Sequence, residues 1–330
     1  MIKRLFNRND NIAILIAGIF SIIIGLGVAR FAFTGLIPAM LDDYLTIKFV
    51  GILASLNFAG YLSGSIFSIF VKDINFKVYL YRFGIFLAIS TTFILAYSDN
   101  NTLWMIGRVL AGFAGAMCLI VGTSIVMQKL TIKSKTKAMG IHFSGIGFSI
   151  LTTDLLARFV LSLNYSWRDS WAVLAVFAII LSLYSVYILS FDKEVKQNAV
   201  KVKFDISIFT PFVIVLIIAY FTEGVGFVVQ ATFLPDIINN LKGLEGYGSL
   251  TWTLVGVAGI PSCIIWMLLA HRFGSSNIII IALLLQAVGI LIPAFSSNIY
   301  LNLLSGVLYG GTFIGLVALF MNLGGQLSRG

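Results

Sequence analysis

The sequence predicts an all-α polytopic membrane protein with about ten transmembrane helices. Three observations carry that expectation. Hydrophobic residues make up 59% of the 330-residue chain and charged ones only 11%, with a mean hydropathy of +1.01. Soluble domains average about 25% charged residues, too many for this composition to match. The apolar residues gather in runs of roughly 20, the length a helix needs to cross a hydrocarbon layer. The basic residues fall in the short segments between those runs, as membrane topology imposes. That distribution also removes nucleic acid as the explanation of the formal charge of +9. Cys118 and Cys263 lie in separate apolar runs and define neither a disulfide framework nor a metal spacing. His142 and His271 are too few to build a histidine metal site, so neither metal nor cofactor is expected.

The first span, 11–40, follows Lys3, Arg4 and Arg8. Such a start resembles a signal n-region, but the run is too long for an h-region and lacks a small-residue cleavage site, so it is expected to be retained. Spans at 47–71, 78–97, 103–128, 138–161 and 170–190 complete a six-helix bundle over 1–190. A polar stretch, 191–207, carries Asp192, Lys193, Glu194, Lys196, Lys201 and Lys203 and reads as a central loop. Spans at 208–234, 248–270, 277–295 and 300–323 form a C-terminal bundle over 208–330. Spans 1 and 7 are long enough to tilt or bend. Trp104, Trp167 and Trp171 sit at span ends and read as interface anchors.

Charge sets the orientation. Lys3, Arg4, Arg8, Lys72, Lys77, Arg82, Lys129, Lys133, Lys135, Lys137, the lysines of 191–207, Arg272 and Arg329 lie on one side, against Lys48, Arg168 and Lys242 on the other. The positive-inside bias therefore predicts a multi-pass protein of the inner (plasma) membrane with a cytoplasmic N-terminus and central loop. A repeat crosses that loop: Gly27-Val28 and Pro38 match Gly224-Val225 and Pro235 at one constant offset. Two parallel halves of this kind predict a site near the midplane between them.

Several segments resemble the major facilitator superfamily. Arg108-Val-Leu-Ala-Gly112-Phe-Ala-Gly115-Ala116 is similar to its span-4 motif of an arginine followed by small residues. The loop between spans 2 and 3, Val71-Lys72-Asp73-Ile74-Asn75-Phe76-Lys77, departs from the glycine- and arginine-rich gating motif, while His271-Arg272-Phe273-Gly274 keeps a fragment of it. Within the superfamily the chain resembles the YbfB/YjiJ-like branch. The matching stretches are Gly27-Val-Ala-Arg30-Phe-Ala-Phe33 through Pro38, Asn57-Phe-Ala-Gly60-Tyr61, Gly140-Ile-His142-Phe-Ser-Gly145, Glu223-Gly-Val-Gly-Phe227 through Pro235, and Trp252 through Pro261. The resemblance implies a twelve-span carrier fold. This sequence shows six spans and then four, so the last two spans are expected to be missing unless the natural chain continues past Gly330.

Ionisable groups inside spans mark candidate sites, because each costs on the order of 2.5–3.5 kcal/mol at the bilayer centre. Arg30 lies about 28 Å along span 1 at the helical rise per residue. With Thr34 one turn on, it presents a cation and a hydroxyl suited to an anion or carboxylate; the alternative is a snorkelling or internally paired arginine. Arg108 enters span 4 near its outer end, where it either snorkels or, as the motif resemblance implies, joins Arg30, Asn57 and Gln230 in binding substrate. Glu223, near the middle of span 7, is a candidate proton carrier, and a static ion pair with Arg30 or Arg108 is the alternative. His142 reads as a proton relay or as a hydrogen-bonded structural histidine. Asp154 and Arg158 are spaced to satisfy each other on one helix face as a structural ion pair.

The expected function is a secondary carrier for a small organic solute, working by alternating access with proton coupling, as a monomer in the lipid bilayer. The competing class is a non-transporting membrane protein or an inactive truncated carrier. An intramembrane enzyme is not expected: there is no zinc-ligand helix, no Gly-x-Ser-x-Gly, no catalytic aspartate pair and no phosphate loop.

Overall fold

The structure is a computed structural model that describes residues 4, 6–131, 135–190 and 209–327, without the side chains of 135 and 136. The expected central loop 191–207, Lys3, Lys133 and Arg329 lie outside the described residues. Ten helices among the described residues are long and apolar enough to cross a membrane. They are α1 (Asn11–Leu41), α2 (Ile47–Phe70), α3 (Ile74–Tyr97), α4 (Asn101–Lys129), α5 (Lys135–Ser162), α6 (Trp167–Ile188), α7 (Pro211–Asn239), α8 (Tyr247–Phe273), α9 (Ser275–Phe295) and α10 (Ile299–Leu327). The chain divides into two compact units, Met1–Asn198 and Ala199–Gly330.

Polar caps set where helices start, and several start earlier than hydropathy alone suggests. Asp10 accepts the Ile12 amide and opens α1, and Asp73 accepts the Phe76 amide at 2.7 Å, starting α3 at Ile74 rather than 78. Ser166 and Asp169 form a reciprocal capping box that draws Trp167 into α6. A helix in lipid must satisfy its backbone internally, so these caps serve the first amides where they leave the membrane.

In the first unit α1 is the central helix. It packs against α3, α4, α5 and α6. Two stretches depart from α geometry: Ile23–Phe31 in α1 and Met117–Val121 in α4 are π-helical. They adjoin each other, Ser21 Oγ donating to the Cys118 carbonyl at 3.0 Å. Long π segments are rare and concentrate at functional sites. The bend expected of span 1 thus takes the form of a widened helix. α2 and α4 approach through glycine: a Cβ at Gly112 would stand 1.9 Å from the Asn57 carbonyl oxygen, and one at Gly60 1.9 Å from that of Val109. Only a residue without a side chain lets these backbones meet.

The end of this unit opposite Lys77 and Lys129 is closed by aromatic packing. Tyr44 stacks on Trp167 and meets Trp104 at a tilt, Trp104 stands edge-on to Trp167, and Tyr44 Oη lies 2.8 Å from the Asp99 carbonyl. Trp104, Trp167 and Trp171 are buried. The expected interface anchors are thus enclosed by protein. Arg168 pairs with Asp99 above them. At the other end the loop lacking the usual glycines and arginines is tied by different contacts. Lys77 Nζ donates to Ser124 Oγ at 2.9 Å, Arg82 to Ser190 Oγ at 2.6 Å, and Lys129 Nζ to the Ser190 carbonyl at 2.5 Å.

The second unit is built on α10, which packs against α8 and α9, with α7 beside α8. Gly306 and Gly310 of α10 meet Thr251 and Val255 of α8, a Cβ at Gly310 standing 2.2 Å from the Val255 carbonyl oxygen. Large apolar side chains such as Phe70, Phe221 and Phe295 remain exposed, as expected of surfaces facing lipid tails.

Candidate functional site

In the first unit the predicted site residues meet around the π segment of α1. Arg108, in the second turn of α4, is only 2% exposed. It does not snorkel. Its side chain turns inward, donating from Nη1 to the Ala29 carbonyl at 3.0 Å and from Nε to the Leu53 carbonyl at 3.4 Å, with the guanidinium 4.3 Å from the Phe33 ring centroid. Ala29 belongs to the π segment, and irregular turns are where a side chain can enter the backbone ladder. Asn57 is buried and donates to the Arg108 carbonyl at 3.1 Å. It braces the backbone that carries the arginine.

Arg30, at the end of the same π segment, is half-buried. Its guanidinium lies 4.4 Å from the Phe58 ring centroid, 5.4 Å from Tyr61 and 5.5 Å from Phe31. Aromatic faces attract a cation by about 0.5–2 kcal/mol depending on desolvation. Thr34, one turn beyond Arg30, is buried. Two cationic side chains thus adjoin the π segment of α1.

Three further predicted residues lie on α5. His142 is fully buried, its Nε2 2.9 Å from Thr123 Oγ1 on α4, and Gly18 of α1 leaves the space its ring occupies. Asp154 is 2% exposed, and Arg158 stands 3.9 Å from its Oδ2, one turn on.

In the second unit Glu223 is half-buried on α7, and its Oε1 accepts from Gln286 Nε2 of α9 at 3.0 Å. Gln230, two turns along α7 and 2% exposed, donates to the Ile290 carbonyl of α9 at 3.2 Å. Both predicted site residues of α7 therefore bond to α9. Arg272 stands in the last turn of α8, and α9 and α10 carry no charged residue among those described.

Phe33, Phe58 and Tyr61 fall in the stretches that carry the family resemblance, without a role assigned to them there, and Thr123 and Gln286 were not singled out by sequence. Gln286 had a legible signal, a lone amide within the apolar run 278–292. The fold sets the aromatic rings beside the arginines.

The family described as "uncharacterised MFS-type transporter YbfB" matches residues 22–329. The chain belongs to that family. This transporter is a multi-pass membrane protein with the major facilitator fold. Among solved structures it is similar to the crystal structure of a D-xylose-proton symporter, at 13% identity and a TM-score of 0.68, over 96% of this chain and 85% of that one. At that identity the likeness speaks to the fold.

Proposed function

We propose that this transporter is a proton-coupled secondary carrier of a small organic anion. It works as a monomer by alternating access in the inner membrane, with its N-terminus in the cytoplasm. The observation that carries the reading is the pair Arg30 and Arg108. Arg108 is held by the Ala29 and Leu53 carbonyls and Arg30 lies over Phe58 and Tyr61. A guanidinium presents its N–H donors in a planar fork that matches a carboxylate, so a carboxylate or similar anion complements the pair. Arg30 and Thr34, with Arg108 braced by Asn57, are the proposed substrate contacts of the first unit, and Gln230 is the proposed contact of the second.

Glu223 is the proposed proton carrier. A carboxyl group in a span that bonds to a neutral amide can exist charged or neutral at modest cost. The D-xylose-proton symporter supports proton coupling as a reading of this fold. His142, enclosed by α1, α4 and α5, is a relay toward the basic end of its unit. Asp154 and Arg158 form a local structural pair.

The test is thermal stabilisation of the purified transporter against metabolites and drugs at two pH values, beside Arg30→Ala and Glu223→Gln. A ligand that binds the native state raises apparent stability by mass action. Anionic ligands are expected to stabilise the parent and not Arg30→Ala, with a pH dependence that vanishes in Glu223→Gln. Stabilisation by neutral compounds alone, indifferent to both substitutions, sinks the proposal.

A further inference from the structure

Glu223 and Gln286 meet edge to edge across α7 and α9, and the pair is unequally satisfied. Gln286 Nε2 donates to Glu223 Oε1 at 3.0 Å, while Gln286 Oε1, on a residue 2% exposed, has no hydrogen-bond partner. A carboxamide presents one donor and one acceptor on the same edge. An ionised carboxylate presents only acceptors. The two can therefore share a single hydrogen bond while Glu223 is charged, and the amide oxygen is left facing a group with nothing to donate.

We propose that Gln286 is the positioning residue for proton uptake at Glu223, closing an acid–amide ring when the carboxyl group is protonated. This rests on the proton-coupled reading above. A proton taken from water bonds to one carboxyl oxygen of Glu223. That O–H donates to Gln286 Oε1, while Gln286 Nε2 continues to donate to the other oxygen. The ring holds two hydrogen bonds and no net charge, and it satisfies the buried amide oxygen. Loss of the proton to water returns the single bond and restores the negative charge. Protonation is thus read locally, as the tightening of one contact between α7 and α9.

The surroundings favour this partner. On α7 the other titratable groups are Tyr220 and Asp236, the latter at the far end of the helix. On α8 they are Tyr247, Cys263, His271 and Arg272, the last two in its final turn. α9 carries none, and α10 has Tyr300 and Tyr309, the latter donating to the Phe227 carbonyl at 3.2 Å. Gly226 and Gln230 continue the α7–α9 contact at Ile290.

Infrared difference spectroscopy of the full chain in lipid, titrated from alkaline to acid, tests this directly. Glu223→Gln assigns the protonated carboxyl band by its loss. Hydrogen bonding lowers a carboxyl C=O frequency, so Gln286→Leu is expected to move the Glu223 band to higher wavenumber. Gln286→Asn, whose shorter amide cannot reach, is expected to do the same and decides the matter if the leucine variant does not fold. A Glu223 band at the parent position in both variants overturns the ring while leaving proton coupling standing. Absence of any Glu223 carboxyl band in the parent overturns both.

Discussion

Replacing Gly112 by alanine tests whether the glycine contact of α2 and α4 sets the position of Arg108. The new Cβ would stand 1.9 Å from the Asn57 carbonyl oxygen and 2.7 Å from the Tyr61 amide nitrogen, both backbone atoms that cannot swing aside. The helices must separate. Overpacking of this kind costs about 1–3 kcal/mol. Separation also strains the 3.1 Å bond from Asn57 to the Arg108 carbonyl, worth about 0.5–1.5 kcal/mol. Alanine returns about 0.5–1 kcal/mol through its better helix propensity. The net loss is about 0.5–4 kcal/mol, or about 1–16 °C in apparent melting temperature for a unit of this size. Gly311→Ala is the control, because its Cβ meets only Ala258, at an ordinary 3.9 Å; it is expected to be neutral or slightly stabilising. The assay is thermal unfolding of both variants in one detergent. Equal melting temperatures for Gly112→Ala and the parent would refute the close-approach argument. A large loss in Gly311→Ala would show that any added methyl is harmful and that the contact is not specific.

Three other outcomes are expected. Asp10 is held below the ordinary carboxylate value of 3.8, mainly by the Arg4 guanidinium and then by the Ile12 amide. A depressed pKa adds stability above the unfolded value and loses it as pH falls through the folded one, so Asp10→Ala should lower the melting temperature at neutral pH and have no effect in strong acid. Ser185 is fully buried and joins α3 to α1, its Oγ 2.5 Å from Tyr81 Oη and donating to the Ala17 carbonyl at 2.7 Å. Ser185→Ala should cost about 1–3 kcal/mol by stranding a buried hydroxyl, and the Tyr81→Phe/Ser185→Ala double variant should melt above the sum of the single losses. Thr123→Val removes the described partner of His142 Nε2 and should lower the melting temperature of the parent more than that of His142→Leu/Thr123→Val relative to His142→Leu.

The candidate site residues stood out in the sequence because charge in a span is conspicuous. Arg30, Arg108 and Glu223 each interrupt a long apolar run, and an intramembrane ionisable residue is a functional hypothesis by default. What those residues touch was not legible. Arg108 is near enough to the end of α4 to snorkel by spacing alone, yet it turns inward because the π segment of α1 brings the Ala29 carbonyl within reach. Asn57 was marked by a local stretch, but its bond to the Arg108 backbone spans two helices. The tryptophans stand at span ends, as the sequence places them, but a ring there can face lipid or protein, and only the fold decides.

The sequence by itself determined the membrane as solvent, the ten spans and the family, because a helix in lipid must satisfy its own backbone and the length and apolarity of each run are local properties. Tertiary structure alone decided the π turns, the inward course of Arg108 and the meeting of Glu223 with Gln286. These depend on which helix faces lie together, and that is settled by close packing of small residues such as Gly25, Gly60 and Gly112 over the whole unit. A hydropathy run carries its depth in the membrane, and it does not carry its neighbours.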